Sequence, residues 1–168
     1  MGHRLPAAAL IVLVLVLAAC GGPSVNKTPH PTAAETQWRS GLVKWGASMR
    51  VAINGISVLF SQPASVRAIE AGNRRTAVKL RRFEDTLSGC AAAIRRLGGP
   101  PPIFAVAHHQ ALRACAALQH GAALIRAGVR QIQHGLGVDL LTQSSDALAT
   151  GQESVRRAEL EARPAPPS

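Results

Sequence analysis

Between Trp38 and Leu59 the apolar residues fall at alternating steps of four and three: Trp38, Leu42, Trp45, Met49, Ala52, Ile56, Leu59. That spacing puts them all on one face of an α-helix, so this segment can only bury its apolar side by packing against something else. Pro63 stops the pattern, with Ser61 available as a cap and Pro63 itself suited to the first turn of the next helix. The rhythm resumes over residues 64–97, through Ile69, Asn73, Thr76, Leu80, Phe83, Leu87, Cys90, Ile94 and Leu97, until Gly98-Gly99-Pro100-Pro101-Pro102 terminates it. It repeats over residues 103–134, through Phe104, His108, Ala111, Cys115, Leu118, Ala122, Ile125, Val129 and Ile132, and is broken at Gly135 and Gly137. A fourth, weaker segment spans residues 139–162, with Leu141, Leu148 and Val155 separated by Ser145 and Gln152 and with Asp139 as a candidate cap.

No stretch alternates as a strand does, and no repeat of solenoid length is visible. The composition agrees with helix: apolar residues make up 47%, drawn from Ala, Leu, Val and Ile, while aromatics are 3% and tyrosine is absent. Short connections make sequential helices antiparallel neighbours. The expected fold is therefore all-α, an up-down-up-down four-helix bundle over residues 34–162, with the fourth helix its loosest member.

The N-terminus indicates where such a domain works. An apolar run over residues 7–19 follows Arg4 and is too short to cross a bilayer, which takes roughly 20 residues. It ends in Leu17-Ala18-Ala19-Cys20, followed by Gly21-Gly22-Pro23-Ser24. A positive start, a short apolar core and small residues before the cysteine are the layout of a secretory signal. With Leu-Ala-Ala-Cys at its end, the segment resembles the signal of bacterial lipoproteins. The resemblance implies that residues 1–19 are removed, that Cys20 is acylated (palmitate and related chains), and that the protein is held at the extracytoplasmic face of a cell membrane. Residues 20–33 then form a flexible tether, and residues 163–168 (Arg-Pro-Ala-Pro-Pro-Ser) a proline-rich tail.

Outside the cytoplasm, two cysteines within reach should oxidise. Folding the second and third helices about the Gly-Pro loop brings Cys90 opposite Cys115, Leu87 opposite Leu118 and Phe83 opposite Ala122. Large residues then face small ones, and a structural disulfide is expected. A redox pair would need an exposed thiol of depressed pKa, commonly in Cys-x-x-Cys, and neither is suggested.

The formal charge is +10. For an exported protein this points away from nucleic acid and toward anionic lipid or an acidic envelope partner. The charge concentrates on the second helix: Arg67, Arg74, Arg81 and Arg95 recur at multiples of seven, Arg75, Arg82 and Arg96 follow one step over, and Lys79 joins them. These eight are the candidate anionic-surface contacts.

No chemistry emerges elsewhere. His108, His109, His120 and His134 lie on one helix, but His109 and His120 are about 16 Å apart along its axis, too far to share an ion. No Cys-x-x-Cys, His-Glu-x-x-His or Glu-x-x-His pattern is present, so no metal or cofactor is expected. Glu84, Asp85, Glu159 and Glu161 stand in arginine-rich, exposed-looking contexts and suggest no acid–base pair. There is no phosphate loop and no nucleophile with a base. The expected role is non-enzymatic binding or scaffolding in the cell envelope. The alternative is a carrier or sensor holding an apolar or metal ligand between helices, lined by Trp38, Trp45 and His108.

Overall fold

The computed structural model describes residues 30–132 and 137–163. The signal segment, Cys20, most of the tether, His134 and tail residues 164–168 lie outside the described residues. Those described are helical, with no strand among them. Helix α1 spans Ala33–Ser61, α2 Pro63–Glu70, α3 Arg74–Ser88 and α4 Cys90–Arg95. A 3₁₀ turn at Pro102–Phe104 leads into α5, Ala105–Ile132, and α6 spans Val138–Glu161.

Helix α1 starts at a capping box. Thr32 Oγ1 accepts from the Glu35 N–H at 3.2 Å, and the Glu35 carboxylate accepts from the Thr32 N–H at 2.6 Å. Its expected apolar stripe is the inner wall of the core: Trp38, Leu42, Trp45, Met49, Ala52, Ile56 and Leu59 are all buried. Pro63 opens α2, as its fixed φ favours. Gln62 rather than Ser61 stands at the cap position, and the Ser61 hydroxyl instead donates to the Val58 carbonyl.

The single second helix expected over residues 64–97 is three helices. At its first break the Asn73 N–H bonds the Ala68 carbonyl at 2.8 Å, and Gly72 takes φ +66°, which glycine tolerates without strain. The Asn73 side chain then accepts from the Arg75 and Thr76 N–H groups and starts α3. Asn73 is thus a cap and exposed, not a stripe residue. Gly89 makes a milder break, since its N–H still bonds the Asp85 carbonyl and its carbonyl still takes the Ala93 N–H.

Three pairs fix how α3 and α4 lie on α5: Cys90 with Cys115, the Ser88 carbonyl with the Gln119 amide, and Glu84 with Arg126. As one number falls the other rises, so these helices are antiparallel. The two cysteines stand at disulfide distance with Cα atoms 5.3 Å apart, both fully buried. Leu87, Leu118 and Ala122 are buried around them. The half-buried Phe83 turns its ring onto Gly55 of α1.

Helix α6 departs from the expectation of a loose fourth member. Its pairing with α5 is the most extensive in the domain. Gly128 meets Leu141, Gly121 meets Leu148, and Gly151 meets Leu118. These pairs also run in opposite chain directions. Without side chains the glycines let the backbones close up, so few large apolar residues suffice. Gly137, at φ +103°, occupies the N-cap of α6, and Asp139 sits in its first turn rather than capping it.

Candidate functional site

All eight predicted contact cations are described and all are exposed: Arg67 on α2; Arg74, Arg75, Lys79, Arg81 and Arg82 on α3; Arg95 and the adjoining Arg96 at the end of α4. The Gly72 turn separates Arg67 from the rest, so the seven-residue recurrence does not run along one continuous helix. Among the described residues none of the eight is in an ion pair. Glu159 pairs with Arg50, Glu84 with Arg126, and Glu153 with both Arg156 and Arg157. The last two arginines hold the half-exposed Glu153 carboxyl down at about 2, chiefly through their hydrogen bonds to it.

Helix α1 carries an outward strip beside this charge. Val43, Ala47, Val51 and Val58 are exposed and spaced by four, four and seven residues, a single helical stripe. A shallow groove of about 370 Å³ joins the two features, with Ala47, Ser48 and Val51 on one wall and Arg82, Phe83 and Thr86 on the other.

A larger groove, about 680 Å³, lies between α3 and α5. Ile69, Ala77, Leu80 and Val129 give it apolar walls, while Arg81, Arg126 and Arg130 bring guanidinium groups to it. Glu84 is set into it, only 4% exposed. Its Oε2 accepts from Arg126 Nε at 3.3 Å. Burial pushes the Glu84 carboxyl above its ordinary value, and the hydrogen bond and charge of Arg126 oppose that rise. The expectation of an exposed Glu84 is therefore corrected. Its spacing carried the signal, since it stands four residues after Leu80 and three before Leu87, both on the buried stripe.

The residues proposed as ligand lining occupy the core instead. Trp38 and Trp45 are 4% and 5% exposed, and neither indole N–H has a hydrogen-bond partner among the described residues. Trp38 stacks on Phe104 with ring centroids 5.1 Å apart and meets the half-buried His108 edge-on at 6.3 Å. Arg39 lies over the same Phe104 ring at 5.4 Å. An apolar cleft of about 370 Å³ does exist, but between α1 and α6, walled by Ile53, Ile56, Phe60, Leu141 and Leu148.

His109 and His120 are exposed. Among the described residues no three His, Cys, Asp or Glu side chains converge on a metal position, and no helix is long and apolar enough to cross a membrane. Comparison with protein-family models, with curated proteins and with solved structures finds no match to this chain.

Proposed function

We propose that this chain is a non-catalytic bacterial envelope lipoprotein, anchored through Cys20, whose helical domain holds to an anionic surface. In this reading the domain is an up-down-up-down four-helix bundle in which α2, α3 and α4 together make the second arm. The observation that carries the proposal is the set of eight exposed cations on α2–α4 with no ion-pair partner among the described residues. The exposed valines of α1 beside Arg82 add the apolar edge that a surface-lying protein presses into the headgroup boundary. An acyl anchor and a basic patch reinforce each other, because the tether holds the patch near the membrane and so raises its local concentration at anionic headgroups. A carrier role has a narrower footing: its apolar space is the α1–α6 cleft rather than the surroundings of Trp38, Trp45 and His108.

Two measurements test this. Intact mass of the protein from native membranes should show acyl chains on Cys20 and loss of residues 1–19. The domain from residue 30 onward should bind vesicles rich in phosphatidylglycerol at low salt, release them at high salt and ignore phosphatidylcholine. Replacing Arg74, Arg75, Lys79 and Arg82 by glutamine should remove about 1 kcal/mol of binding per charge. Equal binding to neutral vesicles, or no loss in the fourfold variant, overturns the electrostatic reading.

A further inference from the structure

We propose that the groove between α3 and α5 binds a small amphipathic carboxylate, a single negative charge on a short hydrocarbon chain. The site shares Arg81 with the surface contact proposed above but is otherwise separate from it, and it needs no membrane.

The first argument is charge. Arg81, Arg126 and Arg130 bring three positive charges to the groove, and Glu84 and Asp85 bring two negative ones. The remainder is +1, which suits a monoanion better than a phosphate dianion. Neither Arg81 nor Arg130 has an acidic partner among the described residues.

The second is the presentation of Arg126. A guanidinium has five N–H donors in a rigid fork. Glu84 engages Arg126 through Nε, and neither Nη group makes a hydrogen bond among the described residues. The Nη edge of Arg126 is thus left without a partner among the described residues, and that edge matches a carboxylate bidentately. Glu84 is a positioning residue in this arrangement.

The third is the space beside the charges. The volume of about 680 Å³ falls within the 300–1,000 Å³ range of small-molecule sites, which pair apolar walls with a few convergent polar groups. Ile69, Ala77, Leu80 and Val129 line the groove beside the guanidiniums and give a hydrocarbon chain apolar contact there.

The test uses the full chain in neutral phosphatidylcholine nanodiscs, titrated with carboxyl-¹³C octanoate by NMR, with empty discs subtracted. Octanoate should bind saturably. Octanol, which lacks the charge, and acetate, which lacks the chain, should each bind at least about tenfold more weakly. Arg130→Ala leaves the Glu84–Arg126 pair intact and should weaken octanoate by about tenfold. Ala77→Trp fills the groove and should abolish saturable binding, with the Cys90–Cys115 bond and helical circular dichroism as checks on folding. Because Arg130 is exposed, its variant keeps the test decisive even where the tryptophan disturbs the fold. Octanol or acetate matching octanoate, an unchanged Arg130→Ala, or no saturable binding each overturns the proposal. None of these outcomes bears on binding to anionic vesicles, since no anionic lipid is present.

Discussion

Reduction of the Cys90–Cys115 bond is a clean perturbation of this domain, because it removes a constraint while adding only two hydrogens to the core. Both residues are at most 1% exposed, so the two thiols remain packed where the disulfide was. Alanine substitution would confound the result with cavities. The cysteines are 25 residues apart, and loop-closure entropy for that span gives about 3.5 kcal/mol at 25 °C. Residual helical-hairpin structure in the unfolded chain lowers the figure, to about 2 kcal/mol in a strong case. An unfolding entropy of about 2.1 cal/mol/K per residue, over a domain of about 130 residues, converts this range to a fall in Tm of about 7–13 °C. The assay is thermal unfolding by circular dichroism at 222 nm, before and after reduction. Reductant must be applied under denaturing conditions and the protein refolded, since the buried sulfurs are shielded in the native state. Mass spectrometry should confirm the gain of two hydrogens. A fall below about 2 °C after complete reduction would refute the reasoning, because the bond would then constrain nothing the unfolded chain does not already restrict.

Two further perturbations probe features that spacing alone does not show. A Cβ at Gly151 would lie 2.5 Å from Leu118 Cδ2 and 2.7 Å from its Cγ, and Leu118 is fully buried with nowhere to swing. Overpacking of about 1–3 kcal/mol therefore outweighs the roughly 1 kcal/mol that alanine gains in helix propensity, and Gly151→Ala should destabilise the domain in urea, whereas Gly99→Ala, with nothing within 4 Å, should not. Glu84 has its folded-state pKa above the unfolded value of 4.5, so the folded state holds its proton more tightly. Wild-type stability, measured against Glu84→Gln by urea unfolding, should decline as pH rises from 4.5 through the folded pKa and level off above it; an advantage for wild type that grows with pH would refute this.

The buried face of α1 was legible because one uninterrupted helix displays its periodicity without ambiguity, and every stripe residue from Trp38 to Leu59 is in the core. The second arm was legible only as an apolar rhythm. Its phase survives the breaks well enough to carry Ile69, Leu80, Leu87, Cys90 and Ile94 inside. Reading the rhythm as continuity hid the Gly72–Asn73 stop and start, although glycine followed by asparagine is the residue pair such a junction requires. The strength of α6 was hidden for the opposite reason. Its contact with α5 is made at Gly121 and Gly128 of α5 and at its own Gly151, and an apolar count assigns glycine no packing value although it sets how near two helices come. The α3–α5 groove escaped the sequence reading because the expected register, which holds at Cys90–Cys115 and would put Glu84 opposite residue 121, drifts on the α3 side of Gly89, so that Glu84 meets Arg126 instead.

The distribution of charge connects the fold to its proposed work. The chain holds 19 lysines and arginines against nine acids, and the acids engaged in ion pairs among the described residues are Glu84, Glu153 and Glu159. Their partners, Arg50, Arg126, Arg156 and Arg157, all belong to α1, α5 and α6. The neutralised cations thus lie on α1, α5 and α6, one of them paired by Glu84 of α3, while the eight cations of the second arm have no ion-pair partner among the described residues. On α3 the cost is local: Arg75 and Lys79 are four residues apart and Lys79 and Arg82 three, each a like-charge neighbour pair worth a few tenths of a kcal/mol against the helix. Arg74 and Arg75 also stand at the first two positions of α3, where the macrodipole disfavours cations. In the proposed function, an external anion layer along the outside of α3 would relieve both effects. A surface of lipid phosphates would reach the N-terminal cations Arg74, Arg75 and Lys79, which lie beyond the i+4 reach of Glu84 and Asp85 along the helix, together with Arg81 and Arg82.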